Sequence, residues 1–510
     1  MNMQRSSGLL LHISSLPGAF GIGTLGLEAR RFCDLLVLGG QHCWQMLPFG
    51  PVAPYMGYSP YASTSTFAGN DLLVSLELLS ERPWCTFTSA ELARSDADFV
   101  DFDAVCRAKR PVLERCTREF FAGAGDEELR RYARFVKEHA SWLDDYALFA
   151  ALSEHFATGS WLSWPRPLAG RSPDALAEWK GRLEKRIRHH CFMQYVFFTQ
   201  WQALKNYCND RGVLLIGDMP IYVTLDSAEA WANPGIFDLD PATGAPARVA
   251  GVPPDYFSET GQRWGNPLYR WHADGGGLYP ETMAWWVRRI GHLGSMVDLL
   301  RIDHFRGFDS YWAIPATAPT AVEGRWLRGP GPAFFKHLKS ALGGLDLIAE
   351  DLGIITPDVE KLRLRAGLPG MKVLQFAFDG NPRNSYLPHN YRDPDCVVYT
   401  GTHDNNTTNG WFYGAEIDDA TRARVMDYIG TGQFSDFHWH MIRLALRSIA
   451  RLAVIPVQDV LGYGEELRMN RPGTMHARNW AWKLRDHGLQ EGHMQRLRRL
   501  TGLYGRIPKN

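Results

Sequence analysis

The sequence predicts an α/β protein, a (β/α)8 TIM barrel with large, mostly helical and loop insertions. Three observations predict it. Eight short apolar runs, at 9–13, 43–47, 213–218, 297–303, 345–350, 372–378, 397–402 and 453–458, read as buried strands of a parallel sheet. Helical segments alternate with them, which is the arithmetic of such a barrel. Four of the runs end in acids, namely Asp218, Asp303, Glu350 and Asp404. Acids are seldom buried unless paired or functional, and a barrel displays its catalytic groups at the C-terminal ends of its strands. The chain of 510 residues exceeds an average domain, yet barrels with insertions reach this length as one unit. Residues 1–510 are therefore expected to form a single catalytic barrel.

The elements follow in order. The strand at 9–13 leads to the Gly-rich loop Gly18-Ala-Phe-Gly-Ile-Gly23. No Gly-Lys-Ser/Thr follows it, and its spacing fits no phosphate-binding fingerprint. A helix at 27–38 ends at Gly39-Gly40, a C-cap signal. After the second strand, 51–212 reads as an insertion subdomain. It opens with a loop rich in Gly, Pro, Tyr and Ser. Apolar residues at three- and four-residue steps over 129–156 and 175–209 then predict helices. The basic stretch 180–190, with adjacent His189 and His190, reads as a solvated helix face. Adjacent positions diverge around a helix, so a metal pair is not expected. Trp161 and Trp164 are expected to pin the insertion to the barrel. A second insertion, 219–296, is loop-rich up to about 278 and is expected to cover the active site. Such length without a clear helix implies a functional loop. It closes with a helix at 280–293, and a further helix is expected at 357–366.

Composition bounds the function. Lys plus Arg and Asp plus Glu both number 55, so no net charge favours nucleic acid or an anionic membrane. No apolar run approaches the length of a membrane span, and the N-terminus has no long apolar h-region, so a cytoplasmic protein is expected. The 8 cysteines contain no Cys-x-x-Cys pair. They suggest neither zinc nor a redox motif and read as free thiols in a reducing compartment. No metal or other cofactor is implied. The 18 Trp and 19 Tyr supply rings on which sugars can stack.

The chemistry concentrates in 296–308, Met-Val-Asp-Leu-Leu-Arg-Ile-Asp-His-Phe-Arg-Gly-Phe. Arg301 and Asp303 share one side of the strand, because side chains alternate with period 2. A guanidinium there favours an ionised carboxylate, as a carboxylate nucleophile needs. Taken alone, the pair serves equally as a structural ion pair. Its recurrence with Asp218, Glu350 and Asp404, all converging if the strands are neighbours, suggests the paired carboxylates of glycoside cleavage.

These stretches resemble a family, the 4-α-glucanotransferases called amylomaltases or disproportionating enzymes, relatives of the α-amylases. The matching residues are Arg301-Ile-Asp-His-Phe-Arg-Gly307, Ala349-Glu-Asp-Leu-Gly353, Thr400-Gly-Thr-His-Asp-Asn405, Gly217-Asp-Met-Pro-Ile-Tyr-Val223, Gly261-Gln-Arg-Trp-Gly-Asn-Pro-Leu-Tyr269 and Ser59-Pro-Tyr61. They run in the family's order from Gly8 to Gly473. The resemblance implies a retaining double displacement on α-1,4-glucans. Asp303 is the nucleophile, Glu350 the general acid and then base, and Asp404 the group that binds the 2- and 3-hydroxyls. It implies an α-1,4-glucan donor and a glucose or glucan acceptor. Tyr61 would stack beside the scissile bond, while Gln262, Trp264 and Asn266 would contact the acceptor. Arg301, His304, His403 and Asp218 would complete the sugar site. Retention predicts carboxyls of Asp303 and Glu350 roughly 5–5.5 Å apart, with pKa values pushed apart so that Glu350 is neutral and Asp303 charged. The chain departs from the family pattern at Tyr58, Asp71, Leu225 and Asn406. An α-amylase-like hydrolase and a catalytically silent glucan binder are the alternatives. Oligomeric state is not legible.

Overall fold

The computed structural model describes residues 4–88, 95–254, 258–344, 346–432 and 435–508. Positions 89–94 of the first expected insertion, 255–257 of the second, and Leu345 of the expected fifth strand lie outside these. Among the described residues twelve strands form: β1 Ser6–Leu10, β2 Cys43–Gln45, β3 Leu214–Met219, β4 Arg248–Val252, β5 Gln262–Pro267, β6 Leu299–Ile302, β7 Ser310–Pro315, β8 Arg325–Arg328, β9 Leu347–Ala349, β10 Gly370–Val373, β11 Cys396–Tyr399 and β12 Leu452–Pro456.

Eight of them make one parallel sheet in the order β10-β11-β12-β1-β2-β3-β6-β9. The two ends of that order meet where the Ala349 amide donates to the Pro369 carbonyl at 2.9 Å. The result is a nearly closed (β/α)8 barrel, as the apolar runs predict. The strands are covered on both faces, so β11 (Cys-Val-Val-Tyr) and β12 (Leu-Ala-Val-Ile-Pro) are buried at every position. One run is displaced. The expected strand 372–378 begins at Gly370 and stops at Val373, where a 3-10 turn Leu374–Phe376 takes over. Its apolar residues continue because the turn is buried too, so hydrophobicity alone misplaces the boundary.

Between β2 and β3 stand four long helices, Phe102–Gly123, Asp126–Phe156, Pro173–Arg182 and Glu184–Asn209. His189 and His190 are only 7% and 9% exposed, which corrects the expectation of a solvated face there. Helix Glu184–Asn209 packs between its neighbours, and these supply the partners. Thr117 Oγ1 lies 2.7 Å from His189 Nδ1, and Glu154 Oε1 lies 3.3 Å from His190 Nε2. Trp161 and Trp164 are both buried, and Trp161 Nε1 donates to the Leu225 carbonyl at 2.7 Å. That bond ties the helical region to the loop after β3. No described helix is long and apolar enough to cross a membrane.

The remaining strands form an antiparallel sheet in the order β5-β4-β7-β8. It draws on both the loop after β3 and the segment after β6. The sequence reading takes this region as loop. Strand β5, Gln-Arg-Trp-Gly-Asn-Pro, has too few apolar residues to show a period of 2, and Gly and Pro interrupt it.

Candidate active site

The barrel register assembles the acids. Asp218 on β3 pairs with Arg301 on β6, and Ile302 on β6 pairs with Ala349 on β9. The next residue on each of the latter strands is Asp303 and Glu350, which therefore stand side by side at the same level. Neighbouring strands lie about 4.7–4.9 Å apart.

Arg301 is the centre of this floor. Its side chain is 3% exposed and that of Asp218 is fully buried. Nη1 lies 2.7 and 2.6 Å from the two Asp218 oxygens, and Nη2 lies 3.2 Å from Asp303 Oδ1. Tyr61 donates its hydroxyl to Asp218 Oδ2 at 2.7 Å. Its ring stacks on His403, with centroids 5.1 Å apart and planes at 15°. Burial works against the Arg301 charge, but Asp218 and Asp303 hold the guanidinium protonated.

Glu350 accepts two backbone N–H bonds, from His304 at 2.6 Å and from Leu352 at 2.9 Å. Residue 304 is in the left-handed region, φ 51°, which turns its amide toward Glu350. The expectation is of pKa values pushed apart, with Glu350 neutral and Asp303 charged. Burial raises both, Asp303 to about 7, with Arg301 opposing in each case. The reason is geometric. The shortest contacts of Arg301 go to Asp218, so it only partly offsets the desolvation of Asp303.

Asp404 is treated differently. Burial would raise it, but His403, Asn470 and Arg301 prevail and hold it well below the usual carboxylate range. His403 Nε2 lies 3.3 Å from Asp404 Oδ2, off the hydrogen-bonding direction. Asn470 Nδ2 donates to Asp404 Oδ1 at 2.6 Å. Sequence reasoning gives Asn470 no place here. It also misses Trp480, whose ring lies 5.4 Å from Tyr61 and 6.0 Å from His403. No local signal marks either, since both come from the segment after β12.

On the other flank the antiparallel sheet brings in Trp264, 38% exposed. Its ring meets His304 edge-on at 4.9 Å, and its Nε1 donates to Gln262 Oε1 at 3.1 Å. Burial lowers the His304 pKa to about 3, so its ring is neutral. Asn266 Nδ2 donates to the Val223 carbonyl at 2.8 Å, fastening β5 to the loop after β3. The departures lie outside this centre except one. Tyr58 stacks on Phe102 and donates to Asp103 of the helical region. Asp71 follows the Asn70 cap of a short 3-10 turn, and Leu225 receives Trp161. Asn406 is buried two residues from Asp404. Among the described residues no group of three or more His, Cys, Asp or Glu could hold a metal ion.

A family model described as 4-alpha-glucanotransferase matches residues 11–489. A 4-alpha-glucanotransferase of Thermus thermophilus is 48% identical over 505 residues, 98% of this chain and 99% of that protein. One of Synechocystis is 45% identical over 508 residues, 99% of this chain and 98% of that protein. A solved amylomaltase from Streptococcus agalactiae, in complex with acarbose, matches with a TM-score of 0.92 at 37% identity, covering 99% of this chain and 100% of that one.

Proposed function

The chain belongs to the 4-alpha-glucanotransferase family, and from that premise we propose how its residues carry the reaction. The enzyme transfers segments of α-1,4-glucans to the 4-hydroxyl of another glucan or of glucose. Asp303 attacks the anomeric carbon and Glu350 protonates the leaving oxygen. A glycosyl-enzyme forms with the configuration inverted once. The incoming sugar hydroxyl, deprotonated by Glu350, inverts it again, so configuration is retained.

The observation that carries this reading is the register that makes Asp303 and Glu350 lateral neighbours on β6 and β9. Neighbouring strands stand about 4.8 Å apart, and side chains at one level of such a pair can flank a single bond, as a nucleophile and an acid acting on it must. Burial raises both carboxyls, which favours a proton on the pair. Arg301 touches Asp303 and draws the negative charge there, leaving the proton to Glu350. Asp404 stays charged and takes the ring's 2- and 3-hydroxyls as positive charge develops at the anomeric carbon. Tyr61, stacked on His403, offers its ring to the sugar, and Asp218 and Arg301 hold the floor beneath it.

Trp264 and Gln262 form the acceptor platform with His304, and Asn266 keeps that platform on the barrel. An arch over the acceptor side favours a sugar hydroxyl over water as the second nucleophile. The site is expected to work in the cytoplasm.

The test is the product ladder from purified protein and maltotriose alone. Glucose together with maltotetraose, maltopentaose and longer chains is the expected result. Glucose and maltose with nothing longer would mean that water is the acceptor and would replace transfer by hydrolysis.

A further inference from the structure

Asp404 is surrounded by a ring of polar contacts to which the reading above gives no role. Arg468 donates from Nη2 to the Asp404 carbonyl at 2.9 Å and from Nε to the Asn470 carbonyl at 2.8 Å. One guanidinium thus fixes the main chain on both sides of the Asn470–Asp404 side-chain bond. A planar fork of donors does this, and a compact ammonium does not. Its third contact is Nη1, 3.3 Å from Glu416 Oε1. The same oxygen accepts Asn406 Nδ2 at 2.7 Å, and the Asn406 carbonyl accepts Gln375 Nε2 at 2.8 Å. Asn406 is 2% exposed, so its amide has few alternatives to this arrangement.

Charge bookkeeping explains why an amide stands at 406. Positions 406 and 416 together hold one carboxylate and one N–H donor, and the carboxylate faces Arg468. A second carboxylate at 406 would meet Glu416 at hydrogen-bonding distance, and like charges so close cannot both ionise, so one would have to take up a proton and the charge facing Arg468 would be shared between them. The carboxylate of Glu416 sits on the loop after helix Thr408–Tyr413, and Asn406 steers it toward Arg468.

We infer that Asn406, Glu416 and Arg468 are positioning residues for Asp404, and that the identities at 406 and 416 are coupled. The inference rests on the reading of Asp404 as the charged carboxylate that stabilises the transition state.

The experiment compares full-length wild type with Asn406→Asp, Glu416→Gln, the double variant, Arg468→Lys and Asp404→Asn. It reads maltotriose transfer kinetics and thermal melting. Asn406→Asp and Arg468→Lys should lower kcat about ten- to hundredfold with KM within about twofold, because they move a group that acts in the transition state. The double variant exchanges carboxylate and donor between the two positions, so it should recover most of the loss from Asn406→Asp. Glu416→Gln keeps a partner for Asn406 but removes the counter-charge of Arg468, and it should lose less than Asn406→Asp. Wild-type kinetics in Asn406→Asp, a double variant no better than that single, or kcat losses that merely follow melting temperature would each overturn the inference. If Asn406→Asp does not fold, Arg468→Lys decides, and wild-type kcat there overturns it. An active Asp404→Asn would sink the reading of Asp404 itself. An inactive Asp404→Asn beside wild-type ring variants would sink only the ring.

Discussion

The two sides of the pocket treat a carboxylate in opposite ways. On the β6–β9 side, Asp303 and Glu350 sit together at the floor of the pocket, and burial moves both upward. On the β11 side, the Asp404 side chain is more open, 43% exposed against 26% for Asp303, and His403 and Asn470 hold it well below the usual carboxylate range. The same residue type is kept protonatable in one place and charged in the other. Neighbours set the difference, since all three acids follow strands of the same barrel. An acid–nucleophile pair must pass a proton during turnover, while an electrostatic stabiliser must never take one up.

The largest expected effect breaks the first side. Asp303→Asn should lower transfer by at least about 10⁴-fold while glucan binding persists, because removing a nucleophile abolishes the covalent route. Residual activity within tenfold of wild type, by product ladder, would remove Asp303 from the chemistry. Next in size is Arg301→Met. It leaves Asp218 buried without its cation and should cost about 3–5 kcal/mol of stability in urea denaturation. A cost near zero would mean that Tyr61 alone satisfies Asp218.

The third prediction sharpens the contrast through pH. An acid whose folded pKa is raised, as for Asp303 from an ordinary 3.8 to about 7, makes the folded state lose stability as pH climbs through that window. Asn does not titrate, so the stability of Asp303→Asn relative to wild type should rise between about pH 4 and 7. Asp404 has the opposite sign. Its stabilisation is present above the unfolded pKa and is lost as pH falls below about 4. The stability deficit of Asp404→Asn should therefore be full near neutrality and fade on acidification. Parallel pH profiles of melting temperature for the two variants would refute the contrast.

The smallest effect lies on the arch. Trp264→Ala removes a half-exposed platform worth about 0.5–1.5 kcal/mol of ring contact. It should raise KM for added glucose acceptor about three- to tenfold and leave donor cleavage little changed. An equal loss for donor and acceptor would place Trp264 elsewhere in the reaction.

Much of the barrel was legible because each strand is a local event. The runs before Asp218, Arg301, Glu350 and Asp404 are apolar on both faces and stop at a charge, and the structure places strands at or beside all eight expected runs. Helices Leu27–Leu38 and Pro357–Ala366 fall where their period and Gly caps put them. The antiparallel sheet was not legible. Strand β7 pairs with β4 some sixty residues away in the chain, β8 has only β7 to pair with, and β5 alone carries no pattern. Among site residues, Asp303, Glu350 and Asp404 announce themselves at strand ends. Asn470, Trp480 and the Glu416–Arg468 contact do not, since polar residues in loops look alike until a partner is known.

By itself, then, the sequence determined which segments become barrel strands and which acids end them, because hydrophobic period and chain order are written residue by residue. Tertiary structure alone decided which carboxyl is raised and which is held down. Desolvation and Coulomb interactions depend on distances of a few ångströms between residues as far apart as Asp404 and Asn470, or Asp218 and Arg301. Those distances exist only once the barrel has closed.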